Sequence, residues 1–273
     1  MPDRDGIQHV LLTRINVSRG FGHSDGRAIT PAWLDRQLAL FEGLALPAVR
    51  SQTTQDFIWI LFASDETPDR YRERMESYAA DERTFVHFVG EWSEEFPAEA
   101  IAEHLDPSAR HLLTSRIDTD DVISRDYLEL VRTEAAGRPH CFLNWDDGYL
   151  FDLGKGSLYS YRHPSNMFIN LVEPIKEGSL PTTVMGGLHT KAAESAPIHT
   201  VRTEGKWIQV IHDQNWMSGF GGHPRPASKR VLARFAAPML EAAPQRSIKE
   251  EVLGRASWAW NRLRGRVRRA LTK

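Results

Sequence analysis

Leu112-Leu113-Thr114-Ser115-Arg116-Ile117-Asp118-Thr119-Asp120-Asp121 is the stretch on which the fold turns. An apolar run ends in three carboxylates within four residues, and helix-like spacing resumes at Val122, Ile123, Tyr127, Leu128 and Val131. A short buried strand followed by a turn and a helix puts those carboxylates at the strand's carboxyl end, where open α/β sheets bind ligands. Asp118 and Asp120 are two residues apart, so an extended turn can aim both at one point, while Asp121 is placed to cap the next helix. Convergent carboxylates repel unless a cation lies between them, and oxygen ligands suit hard divalent cations such as Mg²⁺ or Mn²⁺. The competing reading is an acidic helix start on the surface, where Asp is common. The rest of the chain has to decide between the two.

Toward the amino terminus the same pattern recurs. Residues 7–13 read as a buried first strand, ending in Arg14-Ile15-Asn16 and a loop carrying Ser18, Gly20, Gly22, Ser24 and Gly26. That loop matches neither G-x-x-x-x-G-K-[ST] nor G-x-G-x-x-G, so its glycines suggest freedom of movement near a site. Thr30-Pro31 starts a helix with Leu34, Leu38 and Phe41 as its apolar stripe. Residues 57–62 are too apolar to be exposed on either face; they lead through Ser64 and Asp65 to Pro68, which opens a helix carrying Tyr71, Met75 and Tyr78. A third strand over 84–89 and a helical stretch over 98–104 complete the alternation, which predicts a parallel sheet with right-handed crossovers. Beyond Gly137 the pattern changes. Short strands over 141–145, 149–152 and 158–161 are separated by the hairpin signals Asp147-Gly148 and Gly154-Lys155-Gly156. Apolar runs follow at 168–173 and 207–212. The expected organisation is a parallel half (1–136) and a mixed half (137–222) in one domain, then a helical extension (223–273).

Composition narrows the class. A chain of 273 residues, 41% hydrophobic and 26% charged, has the make-up of a globular domain with a sizeable core. A net charge of −2 implies no nucleic-acid partner. The single cysteine, Cys141, rules out an internal disulfide framework and a cysteine-based zinc site. No signal segment opens the chain and no apolar run nears the ~20 residues that span a bilayer, so a cytoplasmic location is expected. Residues 247–273 carry eight basic and two acidic residues. Ile248, Val252, Ala256, Trp260, Leu263, Val267 and Leu271 lie on one helical face there, with arginines around them. A basic amphipathic helix with tryptophans fits the inner surface of a membrane; a terminal helix packed on the body, with a solvated basic face, fits equally well.

Several segments then share a resemblance. Residues 52–60 with Ser64-Asp65 look like the second-strand region of family 2-type glycosyltransferases, and Arg116-Ile117-Asp118-Thr119-Asp120-Asp121 looks like their D-x-D region. More closely, residues 9–16, these two segments, 166–173 and 207–212 with Asn215 resemble, in order and spacing, a family of rhamnosyltransferases over roughly residues 7–220. The resemblance implies a GT-A-like α/β fold, with a mostly parallel central sheet, that binds a nucleotide-sugar. Its nucleotide-binding half would be 1–136, with 137–222 completing the acceptor and metal sites. Thr13, Arg14 and Asn16, Ser64 with Asp65, and Arg116, Asp118 and Asp121 would then surround the donor. By similarity Asp65 lies near the base, Asp118 toward the ribose, and Asp120 on a divalent cation bridging the diphosphate. Such a cation stabilises the charge that develops on the departing phosphate, and the planar fork of Arg14 suits phosphate oxygens. A later histidine often joins such a cation, and His212 and His189 are the candidates.

An inverting transferase also needs a base for the acceptor hydroxyl. Glu173, at the end of an apolar run, is one candidate and the Asp146-Asp147 pair, Asp147 in particular, is the other. Trp145, Trp207, Trp216, Tyr159 and Tyr161 are either core or a wall for sugar. The function expected is metal-dependent transfer of a sugar, rhamnose by the family's description, from a nucleotide-sugar donor to a hydroxyl of a glycan or lipid-linked acceptor. The alternatives are a sugar nucleotidyltransferase, which should carry a more basic loop than 18–26, and a non-catalytic glycan- or nucleotide-binding relative.

Overall fold

Two sheets carry the chain in this computed structural model, which describes residues 6–17, 30–212 and 225–244. The loop 18–26, Asp213, Asn215, Trp216 and the basic segment 247–273 lie outside the described residues. In chain order the elements are β1 (Ile7–Arg14), α1 (Pro31–Gly43), α2 (Ala45–Arg50), β2 (Ile58–Ser64), α3 (Asp69–Glu76), β3 (Thr84–Val89), α4 (Phe96–Ala102) and β4 (His111–Arg116). There follow β5 (Val122–Ile123), α5 (Tyr127–Ala135), β6 (Cys141–Trp145), β7 (Asp147–Asp152), β8 (Ser157–Arg162), β9 (Asn170–Pro174), β10 (Ile198–Val201), β11 (Trp207–Ile211), β12 (Arg225–Pro226) and α6 (Pro238–Ala242). The central sheet has the order β10-β6-β9-β4-β1-β2-β3 and is parallel except for β9. A smaller mixed sheet has the order β12-β8-β7-β11-β5. This is the α/β, mostly parallel, GT-A-like architecture the sequence implied.

The central strands are apolar on both faces because both faces are covered. Alternate residues of β1, β2 and β4 divide between two cores, as the two-residue strand period requires. Leu11, Trp59, Leu61 and Leu113 pack with the residues of α1, α2, α3 and α5. Val10, Leu12, Ile60, Phe62 and Leu112 pack with α4 and with Val184 and Met185. Among the described residues no helix is long and apolar enough to cross a membrane.

Long-range pairing rearranges three details. Residues 137–212 divide between the two sheets: β6, β9 and β10 extend the central one, while β7, β8 and β11 build the second. The stretch expected to open a C-terminal extension joins the same body, since β12 pairs with β8 and Phe235 and Leu240 are buried in the main core. Asp147-Gly148 is not a turn but the start of β7, and a Cβ on Gly148 would come within 2.2 Å of the Trp207 ring. The β7–β8 turn lies over Gly154-Lys155-Gly156 as read, with Gly156 at φ +56°. Trp145 and Trp207 are core residues: Trp207 stacks on Phe168 at 4.9 Å and donates its indole N–H to the Trp145 carbonyl at 2.7 Å. Tyr159 and Tyr161 are partly buried on β8.

Candidate active site

The carboxyl ends of β1, β2, β4 and β6 meet along one edge of the central sheet. Strand β9 runs the other way, and its Leu171 is opposite both Thr114 of β4 and Phe142 of β6. The residues after β4 and after β6 therefore emerge at the same edge, with β9 between the two strands. Arg14, Ser64 with Asp65, Asp118 to Asp121, and Asp146 all end up on this edge.

The D-x-D-D turn is built differently from a helix start. Val122 and Ile123 form β5 rather than the first turn of a helix, because Val122 pairs with Ile208 and Ile123 with Trp207. Asp121 consequently caps no helix; its carboxylate is buried and accepts the backbone N–H of Val210 at 3.1 Å. The N-terminus of α5 is completed instead by Gln52. That buried amide accepts from Leu128 N at 2.9 Å and donates to the Ala48 and Ser124 carbonyls. Gln52 thus ties the segment before β2 to the turn after β4. The latch from Asp121 to Val210 has a second result. It fixes the end of β11, two residues before His212, and His212 Nε2 lies 3.0 Å from Asp120 Oδ2. The His212 side chain is only 5% exposed, so this contact sits in a sheltered position.

Charge is concentrated here. Arg116, itself buried, holds Asp118 at 3.0 Å, and Asp118 keeps 29% of its side chain exposed. Burial pushes the Asp118 carboxyl up, but Arg116, Arg14 and His189 together outweigh it and leave the group below its ordinary value. Asp121 goes the other way. Burial first, then the Asp120 and Asp118 charges, push it well above the usual carboxylate range, against the pull of the Val210 N–H and Arg116. The cations around Asp118 thus relieve its charge, while burial keeps Asp121 disinclined to ionise. Asp120 and His212 together offer a carboxylate oxygen and an imidazole nitrogen, donors that Mn²⁺ or Mg²⁺ can take alongside phosphate and water; among the described residues no third His, Asp or Glu brings a donor within 4.8 Å of both.

The other expected residues divide into those facing the edge and those holding it. Arg14 lies over the Trp92 ring at 5.2 Å. Asp65 is exposed, and its backbone carbonyl accepts from Arg72 at 2.7 Å. Asn16 is buried and binds the β1 end to the β2 end, accepting from Ser64 N at 3.0 Å and donating to Thr67 Oγ1 at 2.9 Å. Thr13 is fully buried with its hydroxyl taken by the Trp59 indole at 3.1 Å, so it supports the edge from beneath and does not line it. His189 opens a 3-10 helix, His189–Glu194; its carbonyl accepts from Ser165 Oγ and its ring meets that of His163 at 6.3 Å.

Neither expected base is brought to the aspartates in the form foreseen. Glu173 is buried at the opposite end of the sheet, opposite Leu112 at the start of β4. Both of its oxygens accept backbone N–H groups, from Thr182 and Thr183, each at 2.9 Å. Asp147, partly exposed, opens β7 opposite Arg162. Its neighbour Asp146 is the buried member of the pair, 3% exposed at the side chain. Asp146 Oδ2 accepts from Arg162 Nε at 2.8 Å, while Oδ1 is enclosed without a hydrogen bond. The signal that would have singled out Asp146 was available: like Asp118, it follows directly on an apolar parallel strand.

A family model described as "Putative rhamnosyl transferase" matches residues 26–219. No protein of curated function matches the sequence. Among solved structures the chain resembles a putative nucleotide-diphospho-sugar transferase from Desulfovibrio desulfuricans G20, at 9% identity and a TM-score of 0.36, over 74% of this chain and 82% of that one. It also resembles residues 1–349 of S. aureus TarS, at 10% identity and a TM-score of 0.41, over 74% of this chain and 60% of that one. A third is the 4-diphosphocytidyl-2C-methyl-D-erythritol synthase of Anaerococcus prevotii, at 14% identity and a TM-score of 0.39, over 72% and 88%.

Proposed function

The chain belongs to the rhamnosyl transferase family, and from that premise we propose that it is a metal-dependent glycosyltransferase using a nucleoside-diphosphate sugar. The acceptor is a hydroxyl of a glycan or a lipid-linked sugar on the cytoplasmic side, with the basic segment 247–273 as a contact for anionic lipid. Asp120 and His212 would hold a Mn²⁺ or Mg²⁺ ion, with Asp118 beside them. When bound, the ion supplies Lewis-acid stabilisation of the charge that grows on the leaving diphosphate. The observation that carries the reading is the Asp120–His212 contact at 3.0 Å, made between two strand ends whose residues lie 92 positions apart.

The protein's own groups have separate tasks. Arg14 is positioned by Trp92 to pair with phosphate oxygens through two parallel N–H bonds. Arg116 keeps Asp118 ionised and turned toward the edge. Asp121 acts on geometry, holding Val210 and through it His212. Asp146 replaces Glu173 and Asp147 as the group to take the acceptor proton. It lies on the donor edge with one oxygen already desolvated and unpaired, and Arg162 fixes the other. A base so placed contributes about 10²-fold or more to transfer.

The test is a titration of nucleoside diphosphates with and without Mn²⁺, followed by tryptophan fluorescence, since Trp92 lies against Arg14. Wild-type protein is expected to bind more tightly with Mn²⁺, and Asp120→Ala to lose that increment. Metal-dependent binding that survives Asp120→Ala would refute the metal assignment. Liposome flotation with and without residues 247–273 tests the lipid contact, which equal binding by both forms would dismiss.

A further inference from the structure

A second group of metal-competent side chains lies away from the donor edge, on the face of the sheet covered by α4. Among the described residues, His87, Glu103 and His104 form the one group of three or more ligating side chains whose donor atoms all lie within 4.8 Å of one another. His87 projects from β3, the edge strand of the central sheet; Glu103 and His104 directly follow α4. We infer that these three residues form a transition-metal site of the zinc type, distinct from the Mn²⁺ or Mg²⁺ position at Asp120.

Three features favour a built site over a chance encounter of polar residues. First, the rings are held before any ion arrives. His104 stacks on Phe85 with ring centroids 3.8 Å apart and planes 22° from parallel, and Phe85 is two residues from His87 on the same face of β3. His87 in turn meets His104 edge-on at 5.9 Å and Phe62 at 6.0 Å. Second, the backbone beneath is fastened. Gln8 of β1 donates to the His104 carbonyl at 2.8 Å and accepts the Asp106 N–H at 2.7 Å. Third, His104 Nε2 is enclosed without a hydrogen-bond partner, whereas buried nitrogens are paired in the great majority of cases. Glu103 is exposed at the rim, leaving a route for an ion from solvent.

The chemistry selects the ion. Two imidazoles and one carboxylate form the three-ligand set of open zinc sites, with a fourth position left to water. The carboxylate-rich donor edge suits harder cations, so ligand type sorts the two metals between the two places. An ion here would tie the end of α4 to the edge strand β3, two segments joined through no shared backbone ladder. Its effect is on the rigidity of that side of the sheet, not on sugar transfer.

Zn²⁺ titrated calorimetrically into full-length, metal-stripped protein should bind at one site with micromolar or tighter affinity. At a hundredfold excess over Kd, the thermal midpoint should rise by about 5 °C. Co²⁺ in place of Zn²⁺ should give the visible absorption of a four-coordinate site. His104→Ala and His87→Ala should each abolish both signals. Glu103→Gln, at an exposed position that leaves folding untouched, should weaken Zn²⁺ binding tenfold or more. Asp120→Asn should leave it unchanged. Zn²⁺ binding that is absent, that survives His87→Ala, that ignores Glu103→Gln, or that disappears with Asp120→Asn would each overturn the assignment.

Discussion

Carboxylates stand at both ends of the central sheet, and they are satisfied in opposite ways. At the amino end of β4, Glu173 spends both oxygens on the backbone of Thr182 and Thr183. It thereby steadies a segment whose Thr183 has φ 60°, an unusual value for a residue with a side chain. At the carboxyl end, Asp118 and Asp120 are held by Arg116 and His212, side chains that can turn. Asp121 meanwhile bears the repulsion of both. A carboxylate committed to two backbone amides is a fastener. One paired with a cationic side chain can exchange that partner for an ion or a phosphate. Both ends carry acidic residues after apolar runs, and only the direction of the strand separates the two roles.

The sharpest test of that contrast is Asp120→Ala. Sugar transfer should fall by about 10³-fold, about 4 kcal/mol of barrier, with little change in the thermal midpoint; steady-state rates alongside calorimetry would read both. Asp146→Asn comes next, at about 10²-fold in kcat. Donor affinity, read by nucleotide titration, should stay that of wild type. Glu173→Gln should reverse the signature. An amide N–H₂ would face a backbone N–H, costing about 2 kcal/mol of stability in denaturant titrations while the folded protein keeps its rate. A rate loss at unchanged stability would instead return Glu173 to the catalytic edge.

The effect farthest from the donor edge concerns pH. His9, in the β1–β4 interior, is bonded to Ser115 Oγ at 2.8 Å. Burial first, and the Arg132 charge second, pull its pKa from 6.5 down to about 3. The folded protein therefore disfavours the proton that the unfolded chain accepts. Its contribution is complete above pH 6.5 and is lost as pH falls toward 3, at about 1.4 kcal/mol per pH unit. Melting curves between pH 7.5 and 5 should show this slope, and His9→Gln should flatten it.

Much of this architecture could be read from local sequence, and the failures have a common cause. Runs such as 57–62 and 141–145 announced buried strands because nothing polar interrupts them. Val122 and Ile123 were read as helical since their spacing continues into Tyr127 and Leu128. Their partners, Ile208 and Trp207, lie some 85 positions away and made them a strand. Gly148 looked like a turn residue, yet it is glycine because Trp207 crosses its face. Glu173 looked like a candidate base because its own strand gives no hint that it runs antiparallel. At the candidate site the strand-end logic named Asp120 and His212, which the fold brings to 3.0 Å of each other. It reached Asp146 only as half of a pair weighted toward Asp147, and it missed Gln52, whose amide work is visible only once the helix it completes is in place.

One consequence of the bond from Asp121 to Val210 concerns length rather than composition. Successive side chains of a strand point to opposite faces, so deleting any one residue of β11 would swing His212 away from Asp120 without altering the apolar content of the strand. Substitutions within 207–211 that preserve size should pass almost unnoticed, whereas a single-codon deletion there should silence the enzyme. The spacing is inherited as a number, and that number, more than any side chain between its ends, is what the segment has to keep.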